Sequence, residues 1–261
     1  MSALDSKIAV VTGAGAGIGR AAALELAVQG ATVIAVDRRA EAASAVQAAI
    51  DADGGAAVAL AADVGTVAGA TSIAQAAERL GGIDILVNNA GIQRYGTVET
   101  TTEAEWDEVM AVNLKSVYLV SHACLPLMRG RGGAAIVNVA SVQALGSQAS
   151  VAAYATSKHG VLGLTRSMAV DLAPEIRVNC VCPGSVDTPM LRFAQSEAPD
   201  PDAFWRTVEG MHPLGRVARP EEVGSVIAFL AGPGASFMTG AAVPVDGGLL
   251  VPFPGSPLEE R

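Results

Sequence analysis

Lys7-Ile-Ala-Val-Val-Thr12 is a short apolar run rich in β-branched residues. It leads directly into Gly13-Ala-Gly-Ala-Gly-Ile-Gly19 and then into Arg20-Ala-Ala-Ala-Leu-Glu-Leu-Ala-Val28. A buried strand, a glycine loop and a helix in immediate succession leave few folds open. Glycines let a backbone approach a pyrophosphate closely, and a helix start offers unpaired N–H groups at the positive end of its dipole. Gly13, Gly17, Ile18 and Gly19 are therefore the candidate phosphate contacts.

The same alternation then recurs. Ala31 to Val36 reads as a second strand, 40–53 as a helix, Ala56 to Ala62 as a third strand, and Ile83 to Val87 as a fourth. Four β–α repeats imply a parallel sheet wound with right-handed crossovers. Asp37 ends the second strand, where a carboxylate accepts both hydroxyls of an adenosine ribose and repels a 2′-phosphate, which favours NAD over NADP. Arg38 and Arg39 pull the other way, because a guanidinium here binds that phosphate or stacks on adenine. Asp63-Val64 ends the third strand, placed either to bond the adenine amino group or to cap the next helix, and Asn88-Asn89-Ala90-Gly91 ends the fourth.

A long helix is expected from Thr102, with Glu103, Glu105, Asp107 and Glu108 filling its first turns, where the dipole favours acids. Asn113 lies in its apolar part and reads either as a helix-surface amide or as a buried amide that perturbs the helix and holds a water; Pro126 kinks or ends it. Ala134 to Ala140 is a fifth strand, closed by Ser141, and Glu175 to Cys182 a sixth, closed by Pro183-Gly184. Thr188 is a candidate for bonding a nicotinamide carboxamide. The segment 188–219 changes composition, with scattered prolines and charges, and reads as two short helices forming a mobile lid. Pro244 assigns the last strand, Ala241 to Asp246, to an edge or late position, and a loop-like tail follows.

Composition narrows the partners. A formal charge of −9 argues against nucleic acid and anionic membranes. The amino terminus lacks signal-peptide features and no apolar run reaches spanning length. Cys124, Cys180 and Cys182 make no disulfide framework or metal set, and Cys180-x-Cys182 reads as two thiols packed on one face of a strand. The expectation is one domain over 1–261, in the cytoplasm, with no metal.

Chemistry centres on Tyr154-x-x-x-Lys158, at the start of a helix that follows Ser141. Residues four apart share a helix face. An ammonium about 4 Å from a phenol, at an effective dielectric near 20, favours phenolate by up to ~4 kcal/mol, or roughly three pKa units. That shift would bring a tyrosine into the range useful for proton transfer.

Together, Thr12-Gly-x-x-x-Gly-x-Gly19, Asn88-Asn-Ala-Gly91, Asn113, Ser141, Tyr154-x-x-x-Lys158 and Pro183-Gly184 resemble the short-chain dehydrogenase/reductase (SDR) family, in family order from about Lys7 to Gly248. The resemblance implies an α/β, single Rossmann-like domain, its doubly wound seven-stranded parallel sheet covered by helices on both faces, assembled as a homotetramer. It implies Tyr154 as acid/base and Lys158 as the group that binds the nicotinamide ribose and lowers the tyrosine pKa. Ser141 would orient the substrate oxygen, and Asn113 would hold a water that links Lys158 to solvent. The cofactor set becomes Gly13, Gly17, Ile18, Gly19, Asp37, Asp63, Val64, Asn89, Tyr154, Lys158 and Thr188.

The segments around Asn179 and Gly215 look most like the branch of NAD-linked hydroxybutyrate-type, sugar and sugar-acid dehydrogenases. The implied reaction is hydride transfer between NAD and a secondary alcohol: a sugar, sugar acid, polyol or hydroxy acid. Gln93, Arg94, Gln143, Gln148 and Arg192 are the candidate substrate contacts, glutamines suiting hydroxyls and arginines a carboxylate. The rival readings are an NADPH-dependent 3-oxoacyl-carrier-protein reductase and a catalytically idle cofactor-binding sensor.

Overall fold

The structure is a computed structural model that describes residues 3–251. The loop-like reading of the tail beyond Val251 lies outside the described residues. The strands are β1 (Ile8–Thr12), β2 (Thr32–Asp37), β3 (Ala56–Ala61), β4 (Ile85–Asn88), β5 (Ala134–Val139), β6 (Ile176–Pro183) and β7 (Ala242–Val245). They form one sheet in the order β3-β2-β1-β4-β5-β6-β7, parallel throughout. As Pro244 predicts, β7 is an edge; β3 is the other.

The central strands are apolar on both faces because both are covered. Ala9 and Val11 of β1 pack with α1 (Gly17–Val28), α2 (Ala40–Ala52) and α9 (Pro220–Ala231). Ile8 and Val10 face the other way, toward α3 (Val67–Leu80), α5 (Ser116–Met128) and α6 (Ala152–Leu172). Side chains alternate across a strand, so strands buried on both faces read as continuous Val/Ile/Ala runs. Each Val, Leu or Ile fully withdrawn from water contributes about 1.5–3 kcal/mol.

Polar groups close the end of the sheet away from the glycine loop. Asp84 accepts from Ile8 N (3.0 Å), Lys7 Nζ (3.1 Å) and Arg131 Nη2 (2.7 Å). Burial alone would raise its carboxyl pKa; these three donors outweigh it and hold the pKa below the usual value.

The helix expected from Thr102 is not continuous. α4 (Glu103–Met110) starts on a capping box between Thr102 and Glu105, then widens into a π-helical turn at Ala111–Lys115 before α5 begins. Asn113 lies within that turn. Its Oδ1 accepts from Ile92 N (2.8 Å) and its Nδ2 donates to Ile92 O (2.9 Å), tying the helix to the loop after β4. Pro126 does not break α5, which ends two residues later at Met128.

Candidate active site

A cleft of about 880 Å³ opens at the carboxyl ends of the strands. One half is made largely of main chain. Gly13 and Gly17 have φ of 62° and 51°, in the left-handed region where a side chain is strained. Gly19 is needed for a different reason: a Cβ there would drive into Gly13 O and Asn89 Nδ2. The loop is held from below by Asn89, whose Nδ2 donates to Thr12 O (2.9 Å) and Gly13 O (3.2 Å). α1 begins without a side-chain cap and with no acid in its first turn, so its N–H groups and dipole remain directed at the cleft.

Asp37 lines the same half. Its carboxylate accepts from Gly15 N (3.1 Å) and Arg39 N (3.0 Å), with the Arg39 guanidinium 3.6 Å away. Neither Arg38 nor Arg39 lines the cleft. Glycine loop, uncapped helix and terminal carboxylate suit the pyrophosphate and ribose of a dinucleotide. Asp63 does not cap α3, a role that Thr66 takes; its carboxylate accepts from Gly65 N (2.9 Å) in the preceding turn, Val64 is buried in the core, and neither lines the cleft. Thr188 does line it, and its hydroxyl accepts from Leu191 N at the start of α7 (Pro189–Ser196).

Ser141, Tyr154 and Lys158 meet where this half joins the next. Ser141 ends the backbone course of β5 and accepts from Gln143 N (3.1 Å) at a short 3₁₀ turn, Val142–Ala144. Tyr154 and Lys158 are one turn apart on α6, with the ammonium 5.6 Å from the phenol ring centroid. Lys158 is 4 % exposed and donates to Val139 O (2.8 Å). Ser157, between them, donates to Tyr154 O (2.7 Å) and accepts from Asn113 Nδ2 (3.1 Å). A continuous chain of hydrogen bonds thus runs from Ile92 through Asn113 and Ser157 to the backbone of Tyr154.

The electrostatics differ from the sequence expectation. Burial pushes the Tyr154 phenol up to about 12, a hydrogen bond with Ser141 pulls it down, and nearby Tyr95 adds to the rise. Burial also lowers Lys158 to about 8. Desolvation disfavours the charged form of both groups and, at Tyr154, outweighs the lowering by Ser141.

Three of the proposed substrate contacts, Gln93, Gln143 and Gln148, line the cleft; Gln143 Oε1 accepts from Gln148 N (3.1 Å). Arg94 and Arg192 do not. Arg94 forms a two-bond pair with Glu108 (3.0 and 3.1 Å). Arg192 forms one with Asp187 (2.6 and 2.7 Å) and stacks 4.1 Å from the Trp205 ring of α8 (Pro201–Gly210). A chelated guanidinium satisfied by its own neighbour is a brace.

Sequence reasoning missed several residues. Tyr95 lines the cleft beside Tyr154. It is held there because Gly96 bridges to the start of α6, through Gly96 N to Ser150 O (2.8 Å) and Ala152 N to Gly96 O (3.1 Å). α7 and α8 are the two short helices expected at 188–219, and they face the cleft with apolar residues such as Met190, Phe204 and Val208. Their amphipathic spacing is the signal that would have found them. His212 is buried behind the wall: Nε2 accepts from Ser185 N (3.1 Å), so Nδ1 carries the hydrogen given to Val208 O (2.8 Å). It ties α8 to the loop after β6.

Comparison with known proteins agrees with this architecture. The family model described as enoyl-(acyl carrier protein) reductase matches residues 13–250. Meso-2,3-butanediol dehydrogenase of Serratia marcescens is 41% identical over 247 residues, covering 94% of each chain. The 3-oxoacyl-[acyl-carrier-protein] reductase of Thermotoga maritima is 37% identical over 260 residues, covering 95% of this chain and 99% of its own. The structure of the aldohexose dehydrogenase of Thermoplasma acidophilum superposes with a TM-score of 0.88 at 36% identity, covering 99% of both chains. With its seven parallel strands, its glycine loop and its Ser141, Tyr154 and Lys158 around one cleft, this chain belongs to the short-chain dehydrogenase/reductase family.

Proposed function

We propose that this protein oxidises secondary alcohols, and reduces the matching ketones, with NAD as hydride carrier. The observation that carries the reading is the convergence of Ser141, Tyr154 and Lys158 at the junction of the glycine-loop half and the lid half of one cleft. Bound there, a nicotinamide dinucleotide would supply the hydride acceptor, and Tyr154 would take the alcohol O–H proton in oxidation and return it in reduction. Ser141 holds the substrate oxygen and favours the deprotonated tyrosine. Lys158 anchors the ribose and adds positive charge beside the phenol. Asn113, through its turn and its bond to Ser157, positions α6 and supports proton exchange with solvent. Positioning of this kind contributes much of the rate.

The NAD preference rests on Asp37, which lines the cleft where Arg38 and Arg39 do not. The carrier-protein reductase reading draws on the family description and the Thermotoga relative. Against it stand the same carboxylate and a net charge of −9, which gives an acidic carrier no attraction. The full reading is a cytoplasmic homotetramer of single-domain subunits, each with a lid at 188–219.

The test is reduction of NAD⁺ or NADP⁺ followed at 340 nm over a panel of alcohols. Turnover with NAD⁺ above NADP⁺ is expected. Turnover confined to NADPH and an acyl thioester would overturn the reading in favour of the carrier-protein reductase. Light scattering that gave a monomer would remove the tetramer.

A further inference from the structure

The relatives span a diol, a cyclic alcohol, a carrier-bound thioester and a sugar, so the choice among them has to be argued from the cleft itself. Its substrate half carries large apolar side chains left open to solvent. Tyr95 is 52% exposed, Met190 37%, Met211 41% and Leu250 42%, yet all four face the same cleft, with Phe204 and Val208 between them. Exposed apolar residues scattered singly need no explanation, but a concave cluster above a reacting group marks a ligand surface.

Charge points the same way. Among the described residues, Lys158 is the only cation lining the cleft, and it lies at the reacting end, bound to Val139 O. Arg94 and Arg192, next in sequence to lining residues, are chelated by Glu108 and Asp187. Glu197 contributes a negative charge to the lid side. A carboxylate in this half would lose its water, gain no cation and face Glu197. A polyol would find Gln93 and Gln148, but Gln143 Oε1 already accepts from Gln148 N, and Met190, Phe204, Val208 and Met211 make the facing wall apolar.

We propose that the substrate half accepts an uncharged secondary alcohol, or its ketone, whose carbinol carbon carries a bulky apolar group such as a ring, and discriminates against sugar acids and polyols. The inference rests on the oxidoreductase reading above. It narrows the substrates expected from sequence, because the arginine that would have recognised a carboxylate belongs to the lid's own bracing.

The experiment measures kcat/KM with saturating NAD⁺ for cyclohexanol, for 3-hydroxycyclohexane-1-carboxylate and for a four-carbon polyol, alongside fluorescence titration of NADH binding. Cyclohexanol is expected to exceed the carboxylate by about 100-fold, because a buried charge without a partner is rejected far more strongly than a changed methylene. Glu197→Lys is expected to shift the carboxylate-to-cyclohexanol ratio severalfold toward the carboxylate while leaving NADH binding in place. A wild-type preference for the carboxylate or the polyol would overturn the substrate class and leave the oxidoreductase reading standing. Binding of NADH without turnover of any alcohol or ketone would overturn both.

Discussion

The glycine-loop half of the cleft and the half walled by α7 and α8 are made of different materials. In the first, the wall is largely main chain at fixed positions along β1, α1 and β2, and side chains such as Asn89 and Asp37 brace that backbone. In the second, the wall consists of side chains on two short helices and two loops, cross-braced by Arg192, Trp205 and His212. A ligand common to many enzymes can be held by backbone, since every residue has one. A ligand particular to one enzyme has to be read by side chains, and these are free to differ. A change in the first half should therefore affect every substrate alike, and a change in the second should separate one substrate from another.

Tyr154→Phe tests the junction and carries the largest expected effect, a loss of roughly 10²–10⁴-fold in kcat with NADH still bound. Its wild-type signature is a pH profile. Burial holds Tyr154 as the neutral phenol up to about 12, so the oxidative rate, which needs the deprotonated form, should rise with pH. The reductive rate draws on the phenol and should not rise over the same range, falling where Lys158, lowered to about 8, gives up its charge. Ser141→Ala removes the hydrogen bond that favours phenolate, and should displace the rising limb to higher pH.

Gly19→Ala probes the main-chain half. The added methyl meets Gly13 O and Asn89, and overpacking of this kind costs about 1–3 kcal/mol. Thermal melting should fall, and the NADH dissociation constant should rise more than tenfold by titration. An equal loss across all alcohols would support the division; a loss confined to one alcohol would break it.

His212→Ala should act on the other half. It leaves the Ser185 N–H without its acceptor, a cost of about 1–3 kcal/mol where the group stays buried. KM for alcohols should rise severalfold, with little change in NADH affinity. The smallest effect is expected from Arg94→Ala, an exposed pair with Glu108. Its carboxylate-to-neutral substrate ratio should move by less than about twofold, in keeping with the small worth of exposed ion pairs. A large drop for carboxylates alone would restore Arg94 as a substrate contact.

Much of the first half was legible because its chemistry constrains residue type locally. The sites at Gly17 and Gly19 tolerate almost nothing but glycine, and continuous β-branched runs announce strands covered on both faces. The order of Ser141, Tyr154 and Lys158 along a strand and the next helix is likewise a local arrangement. Asn113 was legible as a perturbing amide. Its effect, a π-helical turn stapled to Ile92, needed the loop after β4 to be in place.

By itself, then, the sequence determined the doubly wound sheet, the glycine loop and the identity of the residues that converge at the junction. These follow from short-range periodicity and from conformations available to few residue types. Only the tertiary structure decided which charged groups remain available and how each is tuned. Arg94 and Arg192 read as anion receptors until Glu108 and Asp187 are seen to chelate them. Lys158 reads as the group that lowers the tyrosine pKa until the shared burial of both is seen to dominate. Burial and pairing join residues distant along the chain, and Coulomb and desolvation energies depend on those distances and on the surrounding medium, neither of which is written in spacing.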